Sequence, residues 1–481
     1  MTRPVIIPVF LAAKEIMAEQ FDVVIVGGGT GGYSCALRAA GLGLSVALVE
    51  RAKVGGTCLH WGCVPTKALL HTAEVAESAR HGSSIGVYTS CDGVNVDEII
   101  AYKNGIVNAN WKGLQATLKG KKVQTFEGQG TFTGPNTVSV VTDKGTVELE
   151  ANKALVIATG SRPKELPFAP TDGEVIINSD HAMTLNRRPK NPIVLGASAV
   201  GIEFATVFKG WGADSVTVIE ALDAVVPRED IDTQKVLTKA LKKNGLDIHT
   251  GKMVKQVDRQ GDQVVVTVDS GETFTGDLLM VAIGRGPVTD GMAIEATGAT
   301  VDRGFVIVDE YCRTGVTFGN GGVQYAIGDV IPTLGLAHAS FAEGLMVAEA
   351  IAGKAVTPID YKGVPKVYYC EPEVGAVGWT EQELKEAGIE YEKSLFPFSH
   401  NARAQMLGGS GHVKVLAKKG GKVMGVHIVG KSATDLIAEG EMIYNWEALP
   451  MDVAQFVHAH PTLSEAVGEA HMKLAGRDLH G

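Results

Sequence analysis

Six cysteines in 481 residues are too few for the disulfide framework of a secreted scaffold. Basic blocks are missing as well. Lys+Arg total 44 against 54 Asp+Glu, a net charge of −10, so the chain is a poor partner for nucleic acid and is not drawn to anionic membranes. Low-complexity tracts are absent: hydrophobic residues make up 45% and charged residues 20%, close to globular averages, which excludes a disordered chain. No long apolar run opens the chain. Val5 to Ala13 is too short to cross a bilayer and contains Pro8. With Lys14-Glu15 behind it, that run makes a weak signal peptide, and residues 1–16 read as an extension ahead of a domain starting at Met17. No membrane association and a cytoplasmic location are expected.

The residue in excess is glycine, with 59 copies, clustered rather than periodic. Clusters point to loops where backbone approaches something closely, not to a collagen-like repeat. The length predicts roughly two to four domains.

The valine-rich run Phe21 to Val26 has a buried-strand pattern. It leads into Gly27-Gly28-Gly29-Thr30-Gly31-Gly32, a helical segment from Tyr33 to Gly43, and a second apolar run, Ser45 to Val49, ending at Glu50. This is a βαβ unit carrying G-x-G-x-x-G as Gly27, Gly29 and Gly32. The first glycine permits the tight turn, the second lets backbone approach a pyrophosphate, and the third lets helix and strand pack closely. Glu50 is placed to accept hydrogen bonds from a ribose diol, and the helix N-terminus faces the phosphates.

The pattern recurs. The strand Pro192 to Leu195 runs into Gly196-Ala197-Ser198-Ala199-Val200-Gly201, a helix, and the strand Ser215 to Ile219 ending at Glu220. Ser198 replaces the middle glycine, so a small side chain, able to donate to phosphate, stands where backbone would approach. Glu220 with no arginine after it argues for a free 2′-hydroxyl, hence NAD rather than NADP. Two dinucleotide folds imply two dinucleotides, and FAD with NAD is the economical pairing for hydride transfer. Helical pattern at Glu98 to Leu118 and alternating strand pattern from Val123 to Leu149 lie between them. From Tyr361 the texture changes to an α+β region with strands at Val413 to Ala417 and Val423 to Val429.

Cys58 and Cys63 sit five apart in Gly55-Gly56-Thr57-Cys58-Leu59-His60-Trp61-Gly62-Cys63-Val64-Pro65-Thr66-Lys67. Pro65 suits a first helical turn. Five residues of regular helix rise about 7.5 Å, whereas a disulfide wants Cα atoms roughly 4.4–6.8 Å apart. A bridge would therefore need a distorted helical start, which Gly62 permits, and so small a loop suggests redox chemistry. A helix N-terminus lowers a thiol's pKa and favours reactive sulfur. Lys67 opposes the helix dipole and needs another reason for its place. Two alternatives stay open: a zinc half-site, for which no second cysteine pair exists, or two unrelated buried cysteines.

With Ala158-Thr159-Gly160, Glu203, Gly284-Arg285-Gly286-Pro287, Ala326-Ile327-Gly328-Asp329 and His458-Ala459-His460-Pro461-Thr462-Leu463-Ser464-Glu465 added, the chain resembles the class I pyridine nucleotide–disulfide oxidoreductases from Phe21 to its end. Within that family its motifs are most similar to those of the dihydrolipoamide dehydrogenase group. The resemblance implies an α/β chain with two Rossmann-like dinucleotide-binding domains and a C-terminal α+β dimerisation domain. The implied domains are 17–152 with 284–355 for FAD, 153–283 for NAD, and 356–481 for the interface.

Carried onto matching positions, Cys58 becomes the interchange thiol and Cys63 the thiol against the flavin. His460 becomes the base and Glu465 the carboxylate that orients it. FAD contacts fall on Gly27, Gly29, Gly32, Glu50, Lys67, Gly130, Thr159, Asp329 and Ala337. NAD contacts fall on Gly196, Gly201, Glu203, Glu220 and Gly284. No metal is implied. In the family the histidine comes from a partner subunit, so a homodimer is expected. Read without the family, Thr462-Leu463-Ser464-Glu465 is also a capping box, and His458 with His460 is an H-x-H pair able to hold metal.

The implied reaction is oxidation of dihydrolipoamide, free or on a lipoyl-bearing protein, with NAD as acceptor. The flavin subunit of a 2-oxo-acid dehydrogenase complex is the implied setting. The alternatives are a related disulfide or quinone reductase, or a docking subunit of a larger assembly. No cysteine follows Cys370, which sets the chain apart from relatives with a C-terminal redox pair, and Ala199 stands where glutathione reductase typically has a tyrosine. His60-Trp61, Thr66 and Ser198 depart from the usual pattern.

Overall fold

The valine-rich run at the start is the central strand of a sheet. In the computed structural model, which describes residues 18–319 and 321–480, the strand is Glu19–Val26, and Val23, Val24 and Ile25 are fully buried. The expected extension 1–16 and the start at Met17 lie outside the described residues. The chain divides into two units. One takes in residues up to 54, 114–160 and 287–358; the other takes in 55–113, 161–286 and 359 onward.

In the first unit, Glu19–Val26 pairs in parallel with Val46–Glu50 on one side and with Gly145–Ile157 on the other. Gln124–Glu127 closes one edge and Gly322–Ala326 with Arg313–Phe318 the other. Parallel strands buried on both faces read as continuous apolar runs, which is why no alternation marked Val23 to Val26. The helix following the first strand begins at Thr30, not Tyr33, and ends at Gly41. Its first turn therefore contains the last two glycines of the loop. Gly43, at φ +87°, turns the chain back toward the next strand.

In the second unit, five parallel strands run in the order Asp247–His249, Thr217–Ile219, Pro192–Leu195, Leu278–Val281, Ile176–Asn178. A three-stranded antiparallel sheet, Val254–Gln260, Gln263–Val268 and Thr273–Gly276, packs beside them around Val264, Val266 and Val268. The C-terminal α+β part is a five-stranded antiparallel sheet, Lys366–Tyr368, Glu373–Gly378, Val423–Gly430, His412–Lys418, Tyr391–Pro397. The helices Ala433–Asn445 and Glu465–Leu474 share its core.

The segment carrying Cys58 and Cys63 belongs to this second unit. Its helix, Cys63–His81, lies against the helix Ala199–Gly210. Gly210 permits the approach, since a Cβ there would fall 2.5 Å from that of Ala73, and Trp211 Nε1 donates to Thr72 Oγ1 at 3.0 Å. The expected helix at Glu98 to Leu118 is Val96–Gly120. No helix of the described residues is long and apolar enough to cross a membrane.

Candidate active site

The cysteine segment breaks where the spacing required it to. Thr57 and Cys58 lie in a short helix, Gly56–His60, and Cys63 is the first residue of the next. Gly62 separates them at φ −136°, ψ −112°, where a Cβ would meet the carbonyl oxygen of Thr57 at 3.0 Å. The break brings the two sulfurs together as hydrogen-bonded thiols. The pair is electrostatically unequal. The hydrogen bond from Cys58 lowers the Cys63 thiol, and Lys67 adds to this against the opposing effects of burial and Glu203. The same hydrogen bond, together with burial, pushes Cys58 up. Cys63 is thus the member that carries negative charge more readily.

Lys67 finds its reason here. Its Nζ lies 2.8 Å and 3.0 Å from the two oxygens of Glu203, a nearly buried carboxylate on the helix Ala199–Gly210. Glu203 Oε1 also accepts from the Tyr369 amide at 3.1 Å. Arg285, next to Gly284, donates to Ser161 Oγ at 2.8 Å and reaches Thr57 Oγ1 at 3.4 Å.

The two glycine loops obey one stereochemical rule. Gly27 (φ +108°) and Gly196 (φ +100°) sit where a Cβ would strike the carbonyl oxygens of Ala158 and Ala282, at 2.1 Å and 2.4 Å. Gly32 and Gly201 each stand against the carbonyl oxygen of their loop's first glycine, 1.8 Å from where a Cβ would be. The acids match too. Glu50 accepts from the amides of Gly28 and Ala52, both at 2.8 Å. Glu220 accepts from Ala197 at 2.6 Å and Leu222 at 2.9 Å. Each carboxylate is therefore held by one amide of its glycine loop and one amide two residues further on.

The middle position differs. Gly29 has φ −70°, which any residue adopts, and a Cβ there would meet nothing within 4 Å. Nothing in the protein demands that glycine, so the empty space above it suits an approaching pyrophosphate. Ser198 occupies the equivalent position with an exposed side chain that makes no cap bond. In the first unit a cleft is lined by Gly27, Glu50, Gly130 and Thr159, with Arg51 and Met292. These residues fit the adenosine end of a dinucleotide. Thr159 Oγ1 donates to the carbonyl of Val288 at 2.6 Å.

Asp329 lies in the short turn Gly328–Val330, and Ala337 begins the helix Ala337–Ile351. That turn is held by a residue the sequence did not single out. Fully buried Glu343 accepts from the Gly328 amide at 2.6 Å and from Thr333 Oγ1 at 3.2 Å. Gly284 has φ +107°, and its carbonyl accepts from the Lys164 amide at 2.9 Å.

His460 and Glu465 form a pair of their own. Nδ1 of His460 lies 2.8 Å from Glu465 Oε1, while Oε2 accepts from the Thr462 amide at 2.8 Å. The one carboxylate thus holds both the imidazole and the Thr462 amide, but the capping box read in the sequence does not form: the helix begins at Glu465 itself, with Ser464 ahead of it making no side-chain cap bond. Burial works to raise Glu465, but the bonds from Thr462 and His460 outweigh it and hold its carboxyl below the ordinary range. The His460 side chain is 76% exposed. His458 is turned to a different carboxylate, Glu439, at 2.7 Å, so the H-x-H rings are separately engaged. The rings of His60 and Trp61, which lie between the cysteines in sequence, meet at a tilt of 52° with centroids 5.3 Å apart, and Trp111 meets His60 edge-on at 5.9 Å.

A redox-capable thiol pair in a chain that also carries two dinucleotide-type glycine loops defines a class, and comparison with known proteins gives it a name. The model of the pyridine nucleotide-disulphide oxidoreductase family matches residues 21–344, and that of its dimerisation domain matches 364–471. The chain belongs to this family. It has two dinucleotide-binding domains followed by an α+β dimerisation domain. It is 38% identical to a dihydrolipoyl dehydrogenase of Bacillus subtilis (strain 168) over 481 residues, covering 96% of this chain and 100% of that one. It is also 38% identical to the mitochondrial dihydrolipoyl dehydrogenase of Pisum sativum over 473 residues, covering 96% and 93%. The crystal structure of LpdA from Mycobacterium tuberculosis superposes with a TM-score of 0.87 at 28% identity, covering 94% of this chain and 99% of that one.

Proposed function

We propose that the chain oxidises dihydrolipoamide to lipoamide with NAD as final acceptor, through a reversible Cys58–Cys63 disulfide. The observation that carries this is the unequal thiol pair beside Lys67 and Glu203, in a chain similar over nearly its whole length to dihydrolipoyl dehydrogenases.

With the pair oxidised, a substrate thiolate attacks Cys58. The Cys58–Cys63 bond breaks and Cys63 leaves as a thiolate. A lower pKa makes a sulfur the better leaving group, and Lys67 favours its charge. The second substrate thiol then attacks the mixed disulfide, closing the oxidised substrate and releasing Cys58. The raised pKa of Cys58 suits it to leave this step protonated. His460, held by Glu465, takes the substrate's proton through its free Nε2. FAD, held by Gly27, Gly29, Gly32, Glu50, Gly130, Thr159, Asp329 and Ala337 with Lys67 on its flavin side, would supply a two-electron acceptor, and NAD, held at Gly196, Gly201, Glu203, Glu220 and Gly284, would take the hydride. The domains assigned to these tasks are 17–152 with 284–355, 153–283 and 356–481.

His460 would serve the cysteine pair of a second copy. A homodimer is supported by the dimerisation-domain match and by Trp446, Phe456 and Val457 in that domain, exposed at 75%, 64% and 98%. A 2-oxo-acid dehydrogenase complex in the cytoplasm is the proposed setting, with the lipoyl group carried by a partner.

The test is steady-state NAD reduction with free dihydrolipoamide, run beside NADPH oxidation with glutathione disulfide. Turnover in the first and little in the second is expected. Turnover in the second alone would replace this reading with a disulfide reductase.

A further inference from the structure

We propose that Tyr369 is a positioning residue for the redox pair: its ring face holds the Lys67 ammonium where that charge stabilises the Cys63 thiolate. Nζ of Lys67 lies 4.6 Å from the centroid of the Tyr369 ring. The same residue's amide donates to Glu203 Oε1, the carboxylate paired with that lysine. Tyr369 therefore touches both members of the ion pair, one with its ring and one with its backbone. It lies just after the first strand of the C-terminal sheet, Lys366–Tyr368, and its ring packs against the core that contains Leu69 and Phe204. A lysine on a flexible four-carbon stem, with about a third of its side chain in water, is not fixed by one carboxylate alone. A half-buried aromatic face supplies the second constraint through the ring's quadrupole.

The charged and titratable groups acting on Cys63 are Cys58, Lys67 and Glu203. Those acting on Tyr369 are Lys67, Glu373, Asp435 and Glu203. Lys67 is the cation common to both sets. The assignment rests on the reading of Cys63 as a working thiolate.

The experiment is a pH titration of thiolate ultraviolet absorbance in the full-length, cofactor-loaded Cys58→Ser protein, with Cys58→Ser/Cys63→Ser as the blank. Tyr369→Leu should raise the Cys63 pKa by roughly half a unit, the scale of one partly exposed cation–π contact. Tyr369→Phe keeps the ring and should leave the titration unchanged. In a Lys67→Met background, where the Cys63 pKa is already raised, Tyr369→Leu should add nothing. An unchanged titration in Tyr369→Leu, or an equal shift with and without Lys67, would overturn the role of Tyr369 alone. A Cys63 that ignores Lys67→Met as well would overturn the thiolate reading with it.

Discussion

Gly32 stands directly over the carbonyl oxygen of Gly27, so close that a Cβ would come within 1.8 Å of it. Gly201 repeats the relationship over Gly196. Backbone cannot yield that distance cheaply. Gly32→Ala should cost about 3 kcal/mol or more, read by denaturant unfolding. Gly29→Ala meets no protein atom, so it should keep wild-type stability and instead lose FAD on gel filtration. Matching stability losses in the two variants would refute this division of labour.

Cys63→Ser should abolish dihydrolipoamide turnover while the protein keeps its flavin and its melting temperature. Small changes in fold are expected because the site is only partly buried and serine is nearly isosteric. Full turnover in this variant would remove Cys63 from the reaction.

His460→Gln and Glu465→Gln should slow the thiol half-reaction by about 10²-fold or more, the usual scale for a positioned base. The flavin-to-NAD step should be far less affected. Glu465→Gln should also lose stability, by about 1 kcal/mol, because its second oxygen accepts from the Thr462 amide. Stopped-flow measurement of the separate half-reactions checks both, and equal slowing of both steps would contradict the assignment.

Lys414 is fully buried, with Asp230 at 2.8 Å and Asp232 and Glu381 at 2.6 Å. Lys414→Met leaves buried carboxylates without their cation and should cost about 3–5 kcal/mol. Burial works to raise Asp230 and Glu381, yet both lie below their ordinary values, Asp230 through His427 and Lys414, Glu381 through Lys414 and its neighbours.

The same cluster sets a pH dependence. Carboxylates depressed in the fold contribute stability above their unfolded pKa, and that contribution fades as pH falls. Burial also drives His412 down to about 4, so it too favours the folded state at neutral pH and opposes it on acidification. Stability should therefore decline as pH falls from about 6.5, and the carboxylate share of that decline should shrink in Lys414→Met. Denaturant unfolding at several pH values measures this. A flat profile from neutral to mildly acidic pH would sink it.

The site was legible where its chemistry is local. Strand, glycine loop, helix and terminal acid follow one another within a few dozen residues, and both units fold as that order predicts. The first helix starts three residues earlier than its apolar pattern, because the glycines that closed the pattern are inside its first turn. Glu343 and Tyr369 escaped notice for a different reason. A buried glutamate on a helix and a tyrosine beyond a short strand carry no motif, and each acquires its task from a residue elsewhere in the chain.

By itself, the order of amino acids determined the two glycine loops, the acids that follow them and the sequence spacing of the sulfurs. Backbone stereochemistry and helix periodicity act over a few residues and leave their mark in each segment. The resemblance already set Glu203 near Lys67, but only the tertiary structure decided that Tyr369 would lie against that lysine and that Asp230 would meet Lys414 across 184 residues. A charge chooses its partner by which helices and strands pack together. That packing hangs on contacts as small as Gly210 against Ala73.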